Sequence, residues 1–257
     1  MTPFAALHHR PGRPLLLPNA WDHASAAALA AEGFTAIGTT SLGVAAAAGL
    51  PDGAAATREE TLRLARGLGR GGFLLSVDVE SGFSDDPEEV AALAVELARA
   101  GVVGINLEDG RADGTLGPVT VHAAKVAAVK AAVPELFVNA RTDTYWTGQA
   151  DPGPETARRL DAYQRAGADG VFVPGLATPG AIAELAGRLT APLNVLWSPE
   201  GPGLAELAEL GVARVSLGSL LYRAALGAAV DAARAVRTGA PVGPVPGYAQ
   251  VQALGER

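Results

Sequence analysis

Short apolar runs alternate with longer Ala/Leu/Glu/Arg stretches eight times along this chain, and nothing else in the sequence restricts its fold as much. The apolar runs lie at 14–21, 35–41, 73–80, 104–109, 137–143, 170–175, 192–197 and 214–219. They are near-continuous, as expected of parallel strands covered on both faces. The stretches between them, at 22–33, 57–70, 87–101, 119–132, 154–167, 178–189, 202–211 and 220–237, read as helices. Several stop at Gly, as in AEGF, ARAGV, RAGAD and ELGVA, because Gly accepts the left-handed turn that ends a helix. Asp86-Pro87-Glu88-Glu89 predicts a helix start: a cap, a proline in the first turn, then acids on the positive end of the dipole. Eight such pairs in 257 residues predict an α/β fold, a (β/α)8 TIM barrel. We expect one domain over residues 1–257, with a Pro/Gly-rich tail from about 239 that packs on a neighbouring subunit or frays. An open doubly wound sheet is the alternative, and it has no need of eight repeats.

Charge and composition remove several function classes. Lys and Arg number 20 against 27 Asp and Glu, a net charge of -7, which argues against a nucleic-acid partner. The absence of cysteine excludes disulfides, thiolate metal sites and a cysteine nucleophile or acid. Residues 1–13 lack the apolar core of a signal peptide, and the apolar runs are too short to span a bilayer. We therefore expect a cytoplasmic protein with no membrane partner.

In a barrel of this kind the chemistry lies at the C-terminal ends of the strands. Polar residues collect there: Asn19, Trp21 and Asp22; Thr39, Thr40 and Ser41; Asp78 and Glu80; Asn106, Glu108 and Asp109; Asn139, Arg141 and Asp143; Asn194 and Ser198. Alternation places Asp78 and Glu80 on one side of a strand, facing the barrel mouth, with Val79 toward the helices. Glu108 points inward if Leu107 points out. Three converging carboxylates require protons or a cation. With no Cys and few His, hard oxygen ligands favour Mg2+ or Mn2+. Alternatively, these acids pair with Arg141 or cap helices. Arg141 suits bidentate binding of a substrate carboxylate, or an ion pair closing the mouth, and Asp143 is placed to orient it. Asn194 either binds a substrate oxygen or satisfies a neighbouring loop. We expect His122 on the surface, His8 and His9 in a mobile arm, and His23 as a weak candidate for the site.

The motifs GTTSLG…GLPDG, SVDVESGF, GINLED and NARTD, in this order and spacing, resemble the isocitrate lyase/phosphoenolpyruvate mutase superfamily. The resemblance runs from Asn19 to about Arg234. It implies a barrel whose last helix is swapped between subunits of a homodimer or homotetramer. It also implies Mg2+-dependent chemistry, with Mn2+ as a substitute, next to the carboxylate of a small carboxylic acid substrate. By resemblance, Asp78 touches the metal, Asp52 belongs to its water shell, and Glu80 and Glu108 bridge to it. Ser41, Leu42 and Gly43 match the segment that holds a 2-oxo carboxylate. Arg141 matches the arginine on the substrate oxygens, Asn194 a substrate asparagine, and Trp21 an aromatic near the substrate.

The departures narrow the activity. Isocitrate and methylisocitrate lyases carry a catalytic Cys in the lid after the fourth strand, and this chain has none. Phosphoenolpyruvate mutases carry a Lys and an Asn there, whereas this lid reads EDGRADGTLGP. Arg111 replaces the charge but not the proton donor. We therefore expect a Mg2+-dependent lyase that cleaves a C–C bond in a 2-oxo or 2-hydroxy acid through an enolate. Arg141, Glu108 and Glu80 would be its catalytic residues, and Tyr145, Glu80 and His23 the candidates for a base. A C–P bond enzyme, a phosphate-binding barrel using VSLGS at 215–219 and a catalytically silent metabolite binder are the alternatives.

Overall fold

The computed structural model describes residues 1–148 and 150–256, so the last residue of the tail lies outside it. The parallel strands are β1 (Leu15–Leu17), β2 (Asn19–Ala20), β3 (Ala36–Thr39), β4 (Leu74–Asp78), β5 (Val102–Glu108), β6 (Phe137–Arg141), β7 (Gly170–Val173), β8 (Leu193–Leu196) and β9 (Arg214–Ser216). β1 and β2 are halves of one barrel strand, split at Pro18, which has no N–H to give the ladder. β1 pairs with β9 through Leu16↔Val215, and β2 pairs with β3 through Asn19↔Gly38. The sheet therefore returns on itself as the eight-stranded barrel that the alternation predicts.

The helices are α1 (Pro3–Ala6), α2 (His23–Ala31), α3 (Ser41–Ala48), α4 (Arg58–Leu68), α5 (Pro87–Arg99), α6 (Val119–Ala132), α7 (Gly153–Arg165), α8 (Pro179–Arg188), α9 (Leu204–Glu209), α10 (Leu220–Thr238) and α11 (Tyr248–Gln252). Eight of them match the expected stretches; α1, α3 and α11 are additional. Asp86 caps α5 as expected, its side chain accepting from Glu88 N–H at 2.9 Å.

Alternation divides the wall into two environments. Leu75, Val77, Val79, Ile105, Leu107, Val138, Val171 and Val215 pack outward against Leu93, Leu97, Val126, Val129, Leu160 and Ile182 of the helical layer. Each fully buried Leu or Val there is worth roughly 1.5–3 kcal/mol relative to exposure. The inward set is polar. Asn139 Nδ2 donates to Asn106 Oδ1 at 2.9 Å, and Asn194 Nδ2 donates to Ser216 Oγ at 3.0 Å. Branched apolar residues usually dominate a barrel interior. Here they give way to asparagines, serines and a buried arginine, Arg214.

α1 closes the N-terminal end. Phe4, Leu7, Leu17, Ala36 and Phe137 form a separate apolar plug. Thr2 caps the helix by accepting from Ala5 N–H at 3.2 Å, with Pro3 as its first residue. Gly104 leaves room for the plug, since a Cβ there would stand 2.6 Å from the Phe4 ring. His8, expected in a mobile arm, is buried in this plug. Its Nδ1 lies 3.0 Å from the Phe4 carbonyl, and its ring stacks on Phe137 at 4.2 Å. Burial, with Arg214 nearby, pulls its pKa down to about 3, so it is neutral. His122, expected on the surface, is buried on α6 with its ring 4.4 Å from that of Tyr163.

α10 projects from the barrel. Tyr222 in its first turn is buried, whereas Leu226 and Val230, one turn apart, are about half exposed. The chain then runs through α11 to a 3-10 turn (Ala253–Glu256) that touches α2. Among the described residues no helix is long and apolar enough to cross a membrane.

Candidate active site

Three adjacent strands bring Asp78, Glu108 and Arg141 to the C-terminal mouth. Asp78 pairs in register with Asn106, and Glu108 with Arg141. Arg141 is gripped on both sides. Its Nε donates to Asp143 Oδ1 at 2.6 Å and its Nη2 to Asp143 Oδ2 at 3.1 Å, a forked contact. Its Nη1 lies 2.7 Å from Glu108 Oε2. Trp146 covers the guanidinium at 4.7 Å and Phe172 at 5.6 Å. Burial works against the charge on Arg141, but Glu108, Asp143 and Asp78 outweigh it and hold its pKa above the ordinary value. Asp143 therefore orients Arg141, as its spacing suggests.

The two acids are perturbed upward. Burial raises Asp78 to about 6, with Arg141 opposing and Asp52 and Glu80 adding to the rise. Burial also raises Glu108 well above the usual carboxylate range, and Asp78, Asp143 and Glu80 reinforce it against Arg141. Glu108 Oε2 is buried and lies off the line of the Arg141 N–H bonds, so it has a charged neighbour but no hydrogen bond.

Glu80 does not share the mouth with Asp78. β4 ends at Asp78, and Glu80 takes φ 50, so strand alternation no longer applies to it. Its buried carboxylate accepts from Thr57 Oγ1 at 2.5 Å and from Ala55 N–H at 3.0 Å. Glu80 thus anchors the loop at 51–57 that carries Asp52. Asp52 itself is exposed, within electrostatic reach of Asp78. The expected inward pair of Asp78 and Glu80 becomes one acid at the mouth and one that holds a loop.

Ser41, Leu42 and Gly43 form the first turn of α3, so Ser41 opens a helix and does not end the strand expected over 35–41. Thr40 caps this helix, accepting from Gly43 N–H at 3.4 Å. The N–H groups of Ser41 and Leu42 have no partner within the helix, an arrangement that suits a carboxylate. Gly43 is required by close packing, because a Cβ would stand 2.7 Å from Thr40 Cγ2 and 2.9 Å from Trp21 Cβ. Trp21 packs edge-on against Tyr222, with centroids 5.3 Å apart.

Other expectations are corrected. Asn194 is buried, and its amide bonds to Ser216, one layer below the mouth. Tyr145 faces a cleft of about 670 Å³ between α7 and α8, with Asp151, Asp161, Glu184 and Arg188; this cleft includes none of the mouth acids. His23 opens α2 and lines an outer cleft with Gly67 and Phe73. Arg111 is held on the outside of the lid by Asp85 at 2.9 Å, and Asp85 also binds Lys125. The lid folds on itself through Arg111 N–H to Thr115 O at 3.0 Å. Asp109, adjacent to the site, serves structure. It accepts from Tyr163 Oη at 2.6 Å and Arg159 Nη1 at 2.9 Å, tying α7 to the start of the lid after β5.

Among the described residues no three His, Asp or Glu side chains converge tightly enough to chelate a cation unaided. This spacing agrees with one acid touching a cation and the others standing farther off. The residues still suit Mg2+, which keeps several waters and needs only one or two carboxylates. Asp78 supplies one, and Glu108 Oε2, which accepts no hydrogen bond but lies beside the Arg141 guanidinium, is on the neighbouring strand.

The family model for phosphoenolpyruvate phosphomutase matches residues 4–237. An uncharacterized protein of Mycobacterium tuberculosis (strain ATCC 25618 / H37Rv) is 48% identical, over 97% of this chain and 95% of its own. The 2-methylisocitrate lyase of Bacillus subtilis is 34% identical over 70% of this chain and 61% of its own. The oxaloacetate decarboxylase of Pseudomonas fluorescens (strain SBW25) is 34% identical over 73% and 67%. A crystal structure of a Burkholderia cenocepacia J2315 protein, provisionally described as a phosphonomutase, is 40% identical. It covers 90% of this chain and 97% of that one, with a TM-score of 0.85.

Proposed function

The chain belongs to the phosphoenolpyruvate phosphomutase family of the isocitrate lyase superfamily, a family of enzymes that act on C–C or C–P bonds, and we propose that it cleaves a C–C bond in a small 2-oxo or 2-hydroxy carboxylic acid with Mg2+. The observation that carries this reading is the mouth itself. A guanidinium fixed by Asp143 stands beside two acids with raised pKa values. Asp78 would hold the metal, with Glu108 and Asp52 reaching it through water and Glu80 holding the loop that carries Asp52; Mn2+ would serve as well. The metal supplies electrostatic stabilisation for negative charge growing on the substrate. Ser41 and Leu42 N–H groups at the α3 terminus hold the substrate carboxylate, and Arg141 neutralises the 2-oxygen. Trp146 covers Arg141, and Trp21 packs beside the α3 terminus.

Decarboxylation of an oxaloacetate-like acid needs little beyond this. The C3–C4 electron pair passes into the enolate as CO2 leaves, and a solvent proton completes pyruvate. The relation to an oxaloacetate decarboxylase supports this form of the reaction, and the absence of cysteine argues against the methylisocitrate lyase form. A C–P reaction is favoured by the likeness to the Burkholderia protein. It is disfavoured by a lid whose basic residue, Arg111, is tied to Asp85.

The half-exposed apolar face of α10 supports a homodimer or homotetramer in which this helix is swapped onto the partner. We also propose that the chain acts as one barrel domain in the cytoplasm, without a nucleic-acid or membrane partner. The test of the reaction is pyruvate release from oxaloacetate. It should require Mg2+ and vanish in a folded Asp78→Ala variant; activity retained in that variant would overturn the site.

A further inference from the structure

Arg214 heads the fully buried side chains by size. It begins β9 and crosses the barrel axis to β5, four strands away in either direction around the wall. Its Nη2 donates to Asn106 Oδ1 at 3.1 Å, and its Nε donates to Ser216 Oγ at 3.3 Å. Its Nη1 has no partner. No carboxylate among the described residues forms an ion pair with it; Asp78 above it is the charge that favours its protonation.

Stability does not explain this residue. Asn106 Oδ1 already accepts from Asn139, and Ser216 is already bonded to Asn194. Removing the guanidinium would therefore leave neither group unsatisfied. An apolar side chain of similar length would fill the same space without desolvating a lone charge. A residue kept at a cost to the fold points to the site it serves.

Its position identifies that site. Ser76, Asn106 and Asn139 each precede by two residues, on the same inward face, Asp78, Glu108 and Arg141. Arg214 spans the layer on which all three stand.

We infer that Arg214 is a positioning residue, a fixed cation under the mouth that favours the anionic substrate and the enolate while opposing the bound metal. It acts through space and through Asn106 and touches no reacting atom. This deepens the reading of the mouth as a metal and oxo-acid site, and rests on it.

The experiment compares the wild type with R214M, R214Q and R214K. Calorimetry reads Mn2+ binding without an anion, then oxalate binding at saturating Mn2+, oxalate standing for a planar enolate. Thermal unfolding is followed without ligand. R214M should be at least as stable as the wild type. It should bind Mn2+ alone roughly threefold tighter or more, and oxalate roughly tenfold more weakly. R214K, which keeps the charge, should bind oxalate better than R214M. A disturbed floor would weaken both ligands, whereas removal of a charge moves them in opposite directions. If R214M does not fold, R214Q carries the same expectations, since it can keep the bond to Asn106. Weakening of both ligands, unchanged oxalate affinity, or R214K no better than R214M would overturn the inference. So would a large fall in Tm for both neutral variants. A wild-type chain that binds neither Mn2+ nor oxalate would refute the underlying reading of the site. The inference would fall with it, and that failure would be visible before any variant is compared.

Discussion

Asp143→Asn separates holding a guanidinium from merely having one. Asp143 takes two charge-assisted bonds from Arg141, at 2.6 Å and 3.1 Å. Asparagine offers one acceptor and turns an N–H toward the guanidinium, so one bond is lost and the other loses its charge. A hydrogen bond to a charged group is worth about 1.5–3 kcal/mol, and each 1.36 kcal/mol in the transition state is tenfold in rate. If the bond serves to aim Arg141, kcat/KM should fall about 10- to 100-fold. The fold should tolerate the change better than the loss of a buried pair, which costs about 3–5 kcal/mol. The reason is that Arg141 keeps Glu108 at 2.7 Å and the cover of Trp146. Steady-state pyruvate release and a thermal melt read the two quantities. A kcat/KM within twofold of the wild type, in a protein that melts normally, would refute the idea that Asp143 sets the aim of Arg141.

Burial raises Asp78 to about 6 in the folded chain and raises Glu108 as well. The protonated form is thus favoured in the fold, and this contribution to stability is full below about pH 4 and lost as pH rises through 6. The stability of the metal-free wild type minus that of Asp78→Asn should therefore decline from pH 5 to 7.5, and saturating Mg2+ should flatten the decline. A difference independent of pH would contradict the assignment. Leu226→Glu combined with Val230→Glu should shift the assembly toward monomer in light scattering without changing the barrel's circular dichroism; an unchanged mass would exclude α10 as an interface. Phe4→Ala, which empties the plug at a fully buried ring, should cost about 3–5 kcal/mol in denaturant unfolding; a loss under 1 kcal/mol would mean that α1 does not seal the barrel.

The barrel was legible because parallel strands and amphipathic helices write different periods into the chain. Asp86 and the glycine stops then placed helix ends to within a residue or two. Period-two reasoning failed at Glu80, where φ 50 breaks the alternation one residue past Val79. α3 carries no helical period, because SLGVAAAA has no polar face to alternate with its apolar one. α1 did carry a signal, Thr2 followed by Pro3, but nothing local shows that a short helix folds under the barrel and buries His8. Arg214 was missed for a related reason. Attention to the C-terminal ends of strands passes over a charge at the start of one, although Arg214 and Ser216 share the inward face. Asn194 admits two readings from sequence, a substrate oxygen or a neighbouring partner, because its partner Ser216 lies 22 residues away on the next strand.

The central claim is metal-dependent cleavage next to an oxo-acid carboxylate. Proton NMR of the wild type with oxaloacetate, substituted malates, phosphonopyruvate and phosphoenolpyruvate, with Mg2+ and with chelator, tests it most directly. Pyruvate released from one of these acids only when Mg2+ is present is the predicted result, and its co-product names the bond broken. Ligand line broadening without turnover of any of them would contradict the claim and leave a barrel that binds oxo acids without cleaving them.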